Sequence, residues 1–165
     1  VTKPVILYNV PKRTGMEIPL DVIKALSYHP NIIGIKDASG NALFQQQIAT
    51  FTNENFSLYG GDDALTLLSY HLGAKGIISV VSNAFPKEMK LIYESMDKDP
   101  KISKTLFFKL LDLINVMYQE VSPIGIKYIL YILGFKTLNY RRPLDEPSLK
   151  LKMLLKTELQ KLIEE

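Results

Sequence analysis

The chain contains no cysteine, which excludes disulfides, thiolate metal sites and cysteine nucleophiles, and leaves any metal centre to depend on only two histidines and scattered carboxylates. No metal site is expected. Long apolar runs are also missing: the longest fall short of the roughly 18 residues that a bilayer crossing needs, and Val1-Thr2-Lys3-Pro4 has no signal-peptide organisation. A cytoplasmic protein that does not engage membranes is expected. Charge of one sign is not concentrated anywhere. The net charge of +3 is spread along the sequence, without the basic block or aromatic-basic interleaving of nucleic-acid binders. Serine hydrolysis finds no support either, because Ser79 lies inside an apolar run with no nucleophile elbow around it.

What is present is a 165-residue chain, 47% hydrophobic, which is enough for a packed core. There is no initiator Met, and the sequence runs at once into an apolar segment. Val1 is therefore expected to be a cut or processed end.

Short apolar runs alternate with helical patterns. Val5-Ile6-Leu7-Tyr8, Asn31 to Lys36, Phe56 to Tyr59 and Gly76 to Val80 read as four strands. Residues 19–26, 42–51, 64–72 and 86–96 have helical spacing. Leu43, Ile48 and Phe51 are expected on the buried face of the second of these helices. In Gly60-Gly61-Asp62-Asp63 an aspartate is expected to cap the third helix, with the other solvated. Four strand-helix units with near-continuous apolar strands describe a parallel sheet covered by helices. Beyond Asp99-Pro100 only helices follow, over 102–119, 123–133 and 147–163. The expected organisation is α/β over 1–99, the C-terminal half of a (β/α)8 barrel, and a three-helix appendix over 100–165. Such a barrel needs eight strands, so half of one leaves sheet edges open and should associate with a partner.

Two strings end apolar runs with reactive groups: Tyr8-Asn9-Val10-Pro11-Lys12-Arg13-Thr14-Gly15 and Gly34-Ile35-Lys36-Asp37-Ala38-Ser39-Gly40. Carboxyl ends of parallel strands are where such folds place their chemistry. Taken singly, Lys36 reads as a solvated charge, Tyr8 as amphipathic packing and Arg13 as a surface ion-pair residue. Together they are the tools of a Schiff-base enzyme acting on a keto acid. An amine must be uncharged to attack a carbonyl, a form that apolar surroundings favour, and Ile33 and Ile35 are expected to supply them. Tyr8 could move protons and Arg13 could hold a carboxylate with paired hydrogen bonds. His29 and His71 read as structural.

These strings, with Gly61-Asp62-Asp63 and Gly76-Ile77-Ile78-Ser79-Val80 followed by Asn83 and Pro86, resemble in order and spacing the dihydrodipicolinate synthase family of the pyruvate-dependent lyase and aldolase superfamily. The resemblance covers nearly the whole chain. It implies a (β/α)8 barrel with a C-terminal helical domain, of which this chain would be strands five to eight and the appendix. It further implies that Lys36 forms the pyruvate imine, that Tyr8 transfers protons, that Arg13 binds the carboxylate of L-aspartate semialdehyde, and that Gly61 and Ile78 line the pocket. The product would be 4-hydroxy-tetrahydrodipicolinate, on the way to lysine through diaminopimelate, with no cofactor and a tetrameric or dimeric assembly. Arg13 sets the chain apart from N-acetylneuraminate lyase and the sugar-acid aldolases, the alternative within the superfamily. Outside it stands a non-catalytic half-barrel. The threonine and second tyrosine of the family's proton relay, and its pyruvate-carboxylate site, belong to an N-terminal half that this sequence does not contain, so the chain by itself is expected to be inactive or nearly so.

Overall fold

The computed structural model describes residues 2–164. They form two compact units that part between Ser79 and Val80. This division lies ahead of the change in sequence character at 99/100, because the helix before that change packs most closely on the helix after it.

The first unit is built on a parallel sheet of four strands in sequential order: β1 (Val5–Asn9), β2 (Ile32–Asp37), β3 (Ser57–Gly60) and β4 (Gly76–Ile77). Leu7, Ile35 and Leu58 occupy one register row, and with Ile23, Phe44, Ile48, Phe56 and Ala74 they form the core under the helices. Each fully buried aliphatic or phenyl side chain there contributes roughly 1.5–3 kcal/mol. Because strand side chains alternate between faces, the next row, Tyr8, Lys36 and Tyr59, points to the opposite face.

The helices of this unit are α1 (Pro11–Thr14), α2 (Leu20–Leu26), α3 (Ala42–Ala49) and α4 (Thr66–His71). The short α1 has no apolar periodicity to announce it. Pro11 starts it and Gly15 closes it in the left-handed region at φ 71°, its N–H donating to the Pro11 carbonyl. On α3 the expected face holds for Ile48 but not for Leu43. Leu43 is 73% exposed while Phe44, Gln45 and Ile48 are buried. The Asn41 side chain accepts from the Phe44 N–H at 3.2 Å, which fixes where the helix begins and turns residue 44 toward the sheet. Phe51 lies past the end of α3 yet packs against the same core.

Asp62 caps a single 3-10 turn, Asp63–Leu65, through the Ala64 N–H at 3.0 Å. Asp63 is fully buried, contrary to the expectation of a solvated neighbour. The fourth strand is shorter than its apolar run. Only Gly76–Ile77 pair as strand, and by Val80 (φ −90°, ψ −44°) the backbone has turned helical, entering a 3-10 turn at Val81–Asn83.

The second unit carries α5 (Pro86–Lys98), α6 (Pro100–Met117), α7 (Ile124–Ile132) and α8 (Leu149–Glu164), close to the helices the periodicity predicts. Asp99 caps α6 by accepting from the Ile102 N–H at 3.2 Å. α6 packs on α5, α7 and α8, burying Leu113, Ile114, Met117, Ile129, Leu151 and Leu155 almost completely. Among the described residues no helix is long and apolar enough to cross a membrane.

Candidate active site at the carboxyl edge of the sheet

Tyr8 and Lys36 are register partners on β1 and β2. The parallel pairing sets their backbones side by side, and alternation sends both side chains to the face away from the helices. There the Lys36 Nζ lies 4.3 Å from the centroid of the Tyr8 ring, well within the roughly 6 Å range of amine-aromatic attraction. Tyr8 is 48% exposed and Lys36 half-buried, so the amine is held without being shut away.

The expected apolar wall of Ile33 and Ile35 is not what surrounds this amine. Ile35 belongs to the core under the helices and Ile33 is exposed, since odd positions of β2 face away from Lys36. The neighbours are instead the Tyr8 ring and the turn after β3. A Cβ placed on Gly61 would lie 2.8 Å from Lys36 Cε and 2.8 Å from the Asp37 carbonyl oxygen, distances that real carbon contacts do not reach. Gly61 is thus the residue that lets the chain pass close to the lysine. Its N–H donates to the Asp37 carbonyl at 2.7 Å.

Lys36, Tyr8 and Gly61 therefore come together. Arg13 rides on α1, directly after β1, with its side chain exposed. Ile78 follows β4, 43% exposed, its N–H donating to the Gly60 carbonyl at 2.8 Å. Both stand on the carboxyl edge of the sheet through the topology alone.

Directly beneath this edge is a polar network that the sequence reading passed over. Asn9 and Asp37 are the next register pair after Tyr8 and Lys36, and they are 0% and 1% exposed. Asn9 Nδ2 donates to Asp37 Oδ1 at 2.7 Å, and Ser39 Oγ donates to Asp37 Oδ2 at 2.9 Å. Burial pushes the Asp37 carboxyl up from its ordinary 3.8, opposed by the hydrogen bonds from Asn9 and Ser39, while the negative charge of Asp62 adds to the rise. A signal was available: asparagine and aspartate stand in the helix-facing phase of two otherwise apolar strands.

His29 Nδ1 accepts from the Asn31 N–H at 3.1 Å, and His71 packs edge-on against Tyr70. Among the described residues no cluster of three or more histidine, aspartate or glutamate side chains could hold a metal ion. A cavity of about 670 Å³, lined by Ser27, Tyr28, His29, Ile33 and Asn53 among others, opens at the opposite ends of β2 and β3 and includes none of Tyr8, Arg13, Lys36, Gly61 and Ile78.

Fold and site together define a parallel β/α protein with an amine and a phenol paired at the carboxyl ends of adjacent strands. Residues 1–164 match the model of the dihydrodipicolinate synthetase family, and the chain belongs to that family. It is 42% identical over 147 residues to the 4-hydroxy-tetrahydrodipicolinate synthase of Methanospirillum hungatei JF-1, an alignment covering 88% of this chain and 50% of the relative. Its structure superposes on the crystal structure of dihydrodipicolinate synthase from Aquifex aeolicus with a TM-score of 0.92 at 34% identity, over 99% of this chain and 56% of that one. A chloride-inhibited dihydrodipicolinate synthase from Acinetobacter baumannii, complexed with pyruvate, superposes with a TM-score of 0.91 at 35% identity, over 98% of this chain and 56% of that one. The chain thus spans about half the length of the relatives it matches.

Proposed function

We propose that this chain supplies the Schiff-base lysine, and one wall of the active site, of a lyase that condenses pyruvate with L-aspartate semialdehyde to 4-hydroxy-tetrahydrodipicolinate. The observation that carries the reading is the Lys36 amine held 4.3 Å from the Tyr8 ring on the open face of the sheet, supported by family membership. In this reading the Lys36 nitrogen adds to C2 of pyruvate and water leaves, giving an imine whose protonated nitrogen draws electrons from the neighbouring methyl group. Loss of a methyl proton yields an enamine, and its carbon attacks the aldehyde carbon of the semialdehyde; the semialdehyde's own amino group then displaces the Lys36 nitrogen from the imine carbon, closing the ring and freeing the amine. Tyr8 passes the protons these steps release and require. Arg13 holds the semialdehyde carboxylate, while Gly61 and Ile78 border the pocket. The imine itself is the electron sink, so the reaction calls for no cofactor.

The four strands are taken as strands five to eight of a (β/α)8 barrel and α6 to α8 as its helical appendix, in keeping with the sequential parallel order of the sheet. Turnover then needs the other strands of the barrel, and Ile6 and Tyr8, exposed on the open face, favour association, in a dimer or tetramer. The test is intact-mass measurement after incubation with pyruvate and borohydride. A stoichiometric increment of one reduced pyruvate is expected; an unchanged mass contradicts the reading.

A further inference from the structure

The Tyr8–Lys36 pair is joined by a single non-directional approach of amine to ring. Among the described residues neither side chain makes a hydrogen bond; the ring and the amine come together because β1 and β2 hold their register to the last residue. What holds that register is one step further along. Asn9 and Asp37 are buried register partners, and every polar atom of the two side chains is committed. Asn9 Oδ1 accepts from the Ile18 N–H at 3.1 Å, which fixes the orientation of the amide and obliges Nδ2 to donate to Asp37 Oδ1. Asp37 Oδ1 also faces the Ser39 N–H at 3.4 Å, and Oδ2 accepts from Ser39 Oγ. The backbones close the same ring of contacts: the Ala38 N–H donates to the Asn9 carbonyl at 2.8 Å, and the Gly61 N–H to the Asp37 carbonyl at 2.7 Å.

Through these bonds one buried pair joins four pieces of the site's framework: the end of β1 that carries Tyr8, the end of β2 that carries Lys36, the Gly61 turn that touches Lys36, and the segment at Ile18 that follows α1 and Arg13. We propose that Asn9 and Asp37 are positioning residues, a buried amide-carboxylate clamp that sets the Lys36 amine over the Tyr8 ring. Removing either partner leaves the other buried without its bond, a defect costly enough to let the strand ends separate.

The clamp has a directional grammar that a simple packing role lacks. Asp37→Asn can keep its carbonyl toward Asn9 and turn its amino group to Ser39 Oγ, so it should be tolerated. Asn9→Asp sets two acceptors against each other and should break the clamp. The double variant Asn9→Asp/Asp37→Asn restores a donor-acceptor pair with the direction reversed, giving up only the long Ser39 N–H contact. The inference rests on the proposed function for its labelling readout, so a second readout independent of any reaction is needed: the ε-methylene resonances of Lys36 in protein labelled with 13C-lysine, which the Tyr8 ring face shifts upfield.

Wild type, both single variants and the double variant are compared by this shift and by the rate of reductive labelling with pyruvate. The expected result is that Asn9→Asp loses the upfield shift and labels roughly tenfold more slowly, while the double variant recovers the shift and a rate within about threefold of wild type. An Asn9→Asp protein that matches wild type in the shift overturns the clamp. So does a double variant as defective in the shift as Asn9→Asp, whether or not the latter folds. If wild type takes no pyruvate label while the shift follows the pattern above, the Schiff-base reading fails and the clamp stands.

Discussion

Gly61 and Lys36 touch across the edge between β2 and β3, so closely that a Cβ on Gly61 would stand 2.8 Å from Lys36 Cε and the same distance from the Asp37 carbonyl oxygen. The carbonyl cannot give way without losing the bond it accepts from the Gly61 N–H. Ala38 Cβ would stand 2.9 Å away as well, so relief has to move the turn itself together with the lysine side chain, and the amine leaves the Tyr8 ring.

Gly61→Ala should therefore cost stability and also slow reductive labelling by pyruvate roughly 100-fold, the penalty for moving a reacting group by about 1 Å. Labelling kinetics alongside circular dichroism check both halves of this expectation. An alanine variant that labels at the wild-type rate would show that the amine does not need its observed place.

Tyr8→Phe and Tyr8→Ala separate the ring from the phenol. The phenylalanine variant keeps the face on which the amine rests but loses the proton donor, so imine formation should slow by about 100-fold or more while the Lys36 ε-methylene shift persists. The alanine variant should lose both. Equal behaviour of the two variants in the shift would mean that the ring does not hold the amine.

Asp37 gives the stability of the protein a pH signature. Its carboxyl is raised above the ordinary 3.8, foremost by burial, so between these two values the folded state holds a proton that the unfolded state has released. Stability from this group is fully present below the unfolded value and is lost as pH rises through the folded one. Asp37→Asn, which stays neutral and can keep its bonds to Asn9 and Ser39, should lack that decline. Denaturant midpoints measured from acid to neutral pH should fall for wild type relative to the variant across this window; parallel curves would remove Asp37 as the cause.

Ile48 is fully buried on α3 against the sheet. Ile48→Ala should cost about 2–5 kcal/mol in chemical denaturation, whereas Leu43→Ala, earlier on the exposed side of the same helix, should cost less than about 0.5 kcal/mol. A reversed order would mean that α3 presents its other face.

That contrast also marks where sequence reading stops. The parallel order and the placement of Tyr8 and Lys36 at strand ends were legible because short β-branched runs alternate with helical periods and because strand residues face alternate sides. The helix face of α3 was not, since Leu43 and Phe44 are both apolar and only the Asn41 cap decides which turns inward. The length of β4 was hidden for a similar reason: Gly76 to Val80 is apolar throughout, and pairing ends at Ile77 through a change of backbone conformation that composition does not record. Asn9 and Asp37 were overlooked because polar residues beside a strand end look like the start of a turn. Their burial depends on each other, and only the register of two strands brings them together.

The proposed chemistry turns on one amine, and the position of its adduct decides it. After pyruvate and borohydride treatment, proteolysis and mass mapping should place the reduced adduct on Lys36 and on no other lysine, with Lys36→Met unlabelled. An adduct on another lysine, or undiminished labelling of Lys36→Met, would contradict it.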